Sequence, residues 1–147
     1  MEKQVVIITG AAGFIGCNLA RKLLAGDNYR VIGIDKLTYA GNLNSLAEVM
    51  KNPNFSFEQT DICDAKAIND IFDRYKPSGI MHLAAESHVD RSIDGPGDFM
   101  QTNIIGTYIL LEQAREYWAK LGNKKKQNFR FHHVSTDEVY CDLPHPD

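Results

Sequence analysis

Thr9-Gly10-Ala11-Ala12-Gly13-Phe14-Ile15-Gly16 follows directly on the apolar run Val5-Val6-Ile7-Ile8. It opens a stretch, Phe14 to Leu24, in which Phe14, Ile15, Leu19, Leu23 and Leu24 fall on one helical stripe. Val5 to Thr9 reads as a strand covered on both faces. Between a strand and a helix, glycines at this spacing have separate tasks. One permits the tight turn, one lets backbone come close to a pyrophosphate, and one lets the helix pack closely on the strand. The helix N-terminus behind them offers unpaired N–H groups and the positive end of its dipole to an anion. Spaced glycines alone are a weak signal, because any tight turn uses them; here a strand precedes them and a helix follows.

Asp35 ends the second predicted strand, Arg30 to Asp35, and stands 19 residues past Gly16. A carboxylate there can accept both hydroxyls of an adenosine ribose and repels a 2′-phosphate, so turn and acid together point to NAD rather than NADP. The alternative is a glycine turn and a strand-end acid with no ligand. Farther out, strand and helix patterns alternate. Asn44 to Met50 reads as a short helix and Phe55 to Gln59 as a third strand. Asp64 stands as N-cap of a helix whose buried face is Ile68, Ile71, Phe72 and Tyr75, ended by Pro77-Ser78-Gly79. Ile80 to Leu83 is a fourth strand. Gly95-Pro96-Gly97 breaks the chain before the longest helical pattern, Asp98 to about Leu121, which Gly122-Asn123 closes. Phe129 to Val134 is the fifth strand.

Such alternation predicts an α/β fold, a doubly wound parallel sheet of Rossmann-like type, as one NAD-binding domain over residues 1–147. Leu143-Pro144-His145-Pro146-Asp147 reads as loop after a central strand. The domain is therefore expected to be C-terminally truncated, with its remainder and a C-terminal substrate domain absent.

A formal net charge of -3 argues against general nucleic-acid or anionic-membrane binding, which call for a basic surface. Lys124-Lys125-Lys126, the one basic block, reads as a solvated loop. Cys17, Cys63 and Cys141 are odd in number and widely spaced, which predicts free thiols in a reducing compartment. With no signal-peptide pattern and no membrane-length apolar stretch, a cytoplasmic protein is expected. His132 and His133 are neighbours on a strand and point to opposite faces, and His82, His88 and His145 lack metal-like spacing, so no metal is expected.

In an open parallel sheet, ligands sit beyond the carboxyl ends of the strands. His132-His133-Val134-Ser135-Thr136-Asp137-Glu138-Val139-Tyr140 runs off such an end. Ser135 and Thr136 offer hydroxyls to a substrate. Asp137 and Glu138 set two carboxyls side by side, which suits a proton donor and a proton acceptor if their surroundings separate their pKa values. The bland alternative is a polar loop with an incidental acid pair.

Thr9-Gly10-x-x-Gly13-x-x-Gly16 resembles the fingerprint of the extended short-chain dehydrogenases. Within that family, four further stretches are similar to the dTDP-glucose 4,6-dehydratases over essentially the whole chain. They are Asp35-Lys36-Leu37-Thr38-Tyr39-Ala40-Gly41-Asn42-Leu43, His82-Leu83-Ala84-Ala85-Glu86-Ser87-His88-Val89-Asp90-Arg91-Ser92, Thr102-Asn103-Ile104-Ile105-Gly106-Thr107 and Ser135-Thr136-Asp137-Glu138-Val139-Tyr140. The resemblance implies a bound NAD and a sugar-nucleotide substrate, dTDP-glucose. Gly10, Gly13 and Gly16 would form the turn, with Phe14 and Ile15 at the pyrophosphate. Asp35, Lys36, Leu37 and Thr38 would surround the adenosine ribose, and Asp61 and Ile62 the adenine. Leu83, Ala84, Ala85, Ser87 and Thr102 would line the nicotinamide side. Ser87 and Thr136 would touch the sugar, with Asp137 as acid and Glu138 as base.

Two departures from the family pattern stand out. Cys141 replaces a usual glycine. None of the six tyrosines is followed four residues on by lysine, so the Tyr-x-x-x-Lys pair is missing and this polypeptide alone is expected to be inactive. The family's equivalent of the long helix joins a homodimer, and Phe99, Ile104, Tyr108, Leu111, Tyr117 and Trp118 equally suit ordinary core packing. Two alternatives remain: a sugar-nucleotide epimerase, which has no need of the acid pair, and a non-catalytic NAD-binding module.

Overall fold

A computed structural model describes residues 3–88, 93, 95–136 and 139. Its elements are β1 (Gln4–Thr9), α1 (Phe14–Ala25), β2 (Tyr29–Asp35), β3 (Phe55–Gln59), α2 (Ala65–Tyr75) and β4 (Gly79–His82), then a three-part helix and a short one, and β5 (Arg130–His133). The three-part helix comprises α3 (Pro96–Phe99), a π-helical segment Met100–Gly106 and α4 (Thr107–Lys120); the short helix is α5 (Asn123–Asn128). Every strand pair is parallel and the order is β3-β2-β1-β4-β5. This is the doubly wound order expected, and it reverses direction between β1 and β4.

Both faces of the sheet are covered, which is why its strands read as continuous apolar runs. On one face Ile7, Ile32, Ile34 and Ile80 pack with Ile68, Ile71 and Phe72 of α2 and with Leu110, Ala114 and Tyr117 of α4. Phe72 and Tyr117 meet edge to face with centroids 5.6 Å apart, and the Tyr117 hydroxyl donates to the Pro77 carbonyl. On the other face Ile8 and Val31 pack with Cys17 and Ala20 of α1 and with Leu46, Val49 and Phe55. Asp64 caps α2 as its sequence position predicts, accepting from the Ala67 N–H.

The structure corrects five local readings. Asn44 to Met50 forms two 3-10 turns, Leu43–Leu46 and Val49–Lys51, rather than one short helix. α2 stops at Tyr75, ahead of Pro77, because Lys76 turns left-handed at φ 49 and donates its N–H to the Phe72 carbonyl. The long helix starts at Pro96, where a missing N–H costs nothing, and then widens into π geometry. Gly122 is not its C-cap: Leu121 ends α4 in extended conformation and Gly122 opens α5. Lys124, Lys125 and Lys126 accordingly lie on a helical turn rather than a loop. Trp118 holds that turn by donating from Nε1 to the Lys126 carbonyl, with Lys126 Nζ 5.1 Å above its ring. Strand ends differ from expectation by a residue or so, as fraying ends do.

Gly106 lets the long helix pass the β3–α2 connection, since a Cβ there would stand 2.7 Å from Ile62 Cδ1. Among the described residues no helix is long and apolar enough to cross a membrane.

Candidate functional site

The turn after β1 requires two positions without side chains. Gly10 adopts φ +68, and a Cβ on it would lie 2.9 Å from the Ala84 nitrogen. A Cβ on Gly16 would lie 2.1 Å from the Gly10 carbonyl oxygen, so any larger residue pushes α1 off the strand. Gly13 caps α1 with no side chain of its own. The apolar side chains of Phe14 and Ile15 are 86% and 63% exposed, although both lie on the first turn of a helix packed on the sheet.

Asp35 is anchored on both oxygens. Oδ2 accepts from the Ala12 N–H at 2.9 Å and Oδ1 from the Leu37 N–H at 2.8 Å. The acid at the end of β2 thus ties the glycine turn to its own strand and holds Leu37 in a left-handed conformation at φ 61. A carboxylate offers about four acceptor sites, so each oxygen keeps one. Lys36 Nζ donates to Thr102 Oγ1 at 2.9 Å and lies 3.8 Å from Asp61 Oδ2. Asp61 Oδ1 in turn accepts from the Cys63 N–H. Burial, then a hydrogen bond to Asp61, pushes the Cys63 thiol pKa up. Cys17 and Cys63 are free among the described residues.

These elements enclose a cleft of about 610 Å³ at the carboxyl edge of the sheet. Of the residues singled out in the sequence, Gly10, Gly13, Phe14, Ile15, Gly16, Asp35, Lys36, Thr38, Ile62, Leu83, Ala84, Ala85, Ser87, Thr102 and Thr136 line it. Two do not. Leu37 turns inward to pack against the core of the α1 face, and Asp61 spends its carboxylate on Cys63 and Lys36. The cleft also takes in Ile34 and Thr60, which carry no sequence signal, and Ala40, Gly41, His88 and Val134, which lie inside the quoted stretches without a role of their own. Asp137 and Glu138 lie outside the described residues, as do Cys141, Tyr140 and residues 143–147.

Behind the cleft wall runs a buried chain that sequence gave no reason to expect. Thr9 Oγ1 accepts from the Leu83 and Ala84 N–H groups at 3.2 and 3.1 Å, so its own proton goes to His82 Nδ1 at 2.6 Å. His82 is then the neutral tautomer protonated on Nε2, which donates to Thr107 Oγ1 at 2.9 Å. Burial, and secondarily His133 with its ring centroid 5.1 Å away, lowers the His82 pKa to about 4.

A parallel sheet ordered 3-2-1-4-5, with a ligand-sized cleft at its switch point and a glycine turn opening onto it, defines a nucleotide-binding protein of the Rossmann class. The chain belongs to the GDP-mannose 4,6 dehydratase family, whose model matches residues 7–146. It is 59% identical over 142 residues to the dTDP-glucose 4,6-dehydratase of Salmonella typhimurium, covering 97% of this chain and 39% of that protein. Among solved structures, the dTDP-glucose 4,6-dehydratase of Streptomyces venezuelae with NAD bound is 41% identical, with TM-score 0.83 over 97% of this chain and 42% of that one. A UDP-glucose 4-epimerase from Thermotoga maritima is 35% identical, with TM-score 0.69 over 78% of this chain and 35% of its own. The chain thus spans about two fifths of the length of these relatives.

The His82 environment sets a pH dependence. Unfolded, the imidazole takes up a proton near its ordinary 6.5; folded, it does so only near 4. Its contribution to stability is complete above pH 6.5 and is lost as the pH falls toward 4, because the unfolded chain binds the extra proton in that window. Denaturant unfolding at pH 7 and pH 4.5 should show a loss of at most roughly 3 kcal/mol from this group. In His82→Gln that component of the pH dependence is expected to vanish; an unchanged pH profile would refute the assignment.

Proposed function

We propose that the cleft binds NAD and that this chain carries the cofactor-binding part of an NAD-dependent dehydratase acting on dTDP-glucose. The observation that carries this reading is Asp35, fixed by Ala12 and Leu37 with acceptor capacity left over at the edge of the cleft. An adenosine ribose would use that spare capacity, and the carboxylate would repel a 2′-phosphate. The pyrophosphate would lie against the uncapped start of α1, beside Phe14 and Ile15, where partial positive charge favours an anion. Ile62 would flank the adenosine side, and Leu83, Ala84, Ala85, Ser87 and Thr102 the nicotinamide side. Leu37, packed on the core of the α1 face, would shape the ribose end, and Asp61 would flank the adenine beside Ile62.

Bound there, NAD would accept a hydride from the sugar C4 and return it to C6. The intervening elimination needs an acid and a base together, since a proton leaves C5 while the C6 hydroxyl leaves as water. Glu138 would take the first proton and Asp137 would give the second, with Thr136 and Ser87 hydroxyls on the sugar. The Tyr-x-x-x-Lys pair that takes the C4 hydroxyl proton as the hydride leaves in such enzymes is not among these residues, so the chain by itself would not turn over. The epimerase reading draws on the likeness to the Thermotoga maritima enzyme, but it leaves the adjacent acids without a task. A non-catalytic NAD-binding module would need only the cleft.

Met100, Ile104, Tyr108, Leu111 and Trp118 are all exposed and recur at helical spacing along the π segment and α4. An apolar stripe of this kind marks an interface, and we infer a homodimer formed through it. The free thiols and the sugar-nucleotide substrate suit the cytoplasm.

Calorimetry tests the cofactor: NAD should bind and NADP should not, at equal concentration. A preference for NADP would remove the role given to Asp35. The reaction is tested by joining the chain to the C-terminal portion of the Salmonella typhimurium relative. That hybrid should convert dTDP-glucose to the 4-keto-6-deoxy sugar, with Glu138→Gln or Asp137→Asn slower by about 10²–10⁴-fold; a 4-epimer as product would favour the epimerase. Sedimentation tests the stripe, with a dimer expected for the wild type and a monomer for Tyr108→Glu; a monomeric wild type would overturn the dimer.

A further inference from the structure

The two loops on either side of the cleft are joined to each other. Tyr39 belongs to the connection after β2, whose Thr38, Ala40 and Gly41 line the cleft, and its hydroxyl donates to Glu86 Oε2 at 2.9 Å. Glu86 lies in the connection after β4 and lines the cleft itself. A second cavity of about 460 Å³ shares Lys36, Thr38 and Glu86 with the cleft and adds Tyr39, so Glu86 borders both spaces and Tyr39 reaches it from the smaller one.

The ends of this link differ in stiffness. Asn103, on the π segment, grips the Glu86 backbone from both directions: its Oδ1 accepts from the Glu86 N–H at 2.8 Å and its Nδ2 donates to the Glu86 carbonyl at 2.9 Å. A reciprocal amide pair of this sort leaves the Glu86 backbone little freedom, while the carboxylate reaches outward. Tyr39 is 44% exposed and rests its ring against His88, centroids 5.3 Å apart.

The geometry points to the Tyr39–Glu86 hydrogen bond as a strap that retains a dinucleotide in the cleft, with Asn103 as the positioning residue that fixes its Glu86 end. This rests on the dinucleotide reading above. The chemistry favours retention: when a hydride is taken and returned within one cycle, the carrier ends as it began and its departure serves no step. An exposed phenol donating to a carboxylate can open for loading at the loss of one charge-assisted hydrogen bond.

Release of NADH chased by excess NAD, followed by stopped-flow fluorescence, tests the strap. Tyr39→Phe and Glu86→Ala should each release about 3- to 10-fold faster, the effect of losing one such bond, with association little changed. The double variant should be no faster than the faster single, because both remove the same bond. Glu86→Gln keeps an acceptor oxygen but loses the charge, so its release should fall between wild type and Glu86→Ala. Unchanged release in Tyr39→Phe, additive effects in the double variant, or Glu86→Gln as fast as Glu86→Ala would each overturn the strap. A wild-type protein that bound no dinucleotide would instead overturn the reading on which the strap rests, so the two failures are told apart by the wild type alone.

Discussion

The carboxyl edge of the sheet is organised around one steric constraint: no side chain fits where β1 gives way to α1. With a Cβ on Gly16 only 2.1 Å from the Gly10 oxygen, helix and turn interlock so closely that their relative position has no slack. The neighbouring groups tighten the same place from two sides. Asp35 pulls the turn toward β2 through the Ala12 N–H. Thr9, with His82 behind it, pulls the Leu83–Ala84 backbone toward Gly10. The cleft wall is therefore shaped before any ligand arrives, which lowers the ordering cost that binding would otherwise carry.

The two cores divide the labour. The face with α2 and α4 holds the largest side chains, including Phe72 and Tyr117 in edge contact, and it fixes the sheet. The face with α1 is built from smaller residues such as Ala11, Ala12, Cys17 and Ala20, which lets backbone approach backbone near the cleft. Bulk thus sits away from the site and close packing beside it. His82 belongs to neither apolar cluster; it is a buried polar group tolerated because both ring nitrogens are satisfied.

What was legible in the sequence followed from rules that act locally. The glycine turn and the Asp64 cap each depend on residues within a few positions, Asp35 was legible from its fixed distance from that turn, and the doubly wound parallel class followed from the alternation of strand and helix patterns. What was not legible depends on distant partners. Lys76 carries no glycine-like mark of a left-handed residue; its conformation is imposed by closing α2 onto Phe72. α5 owes its turn to Trp118 on the preceding helix. The link from Thr9 through His82 to Thr107 joins positions 73 and 25 residues apart. Leu37 and Asp61 were carried across by resemblance alone, and their engagements, Leu37 with the core of the α1 face and Asp61 with Cys63 and Lys36, depend on partners that no local pattern announces.

The π segment Met100–Gly106 gives the long helix two phases on one axis. An α-helix advances roughly 100° per residue, so the wider turns at Met100–Gly106 rotate everything before them relative to α4. That offset allows Thr102 and Asn103 to face Lys36 and Glu86 while Leu110, Ala114 and Tyr117 face the sheet. The segment is consequently a length-critical splice: gaining or losing a single residue there would turn Thr102 and Asn103 away from Lys36 and Glu86 and so uncouple the cleft from the core.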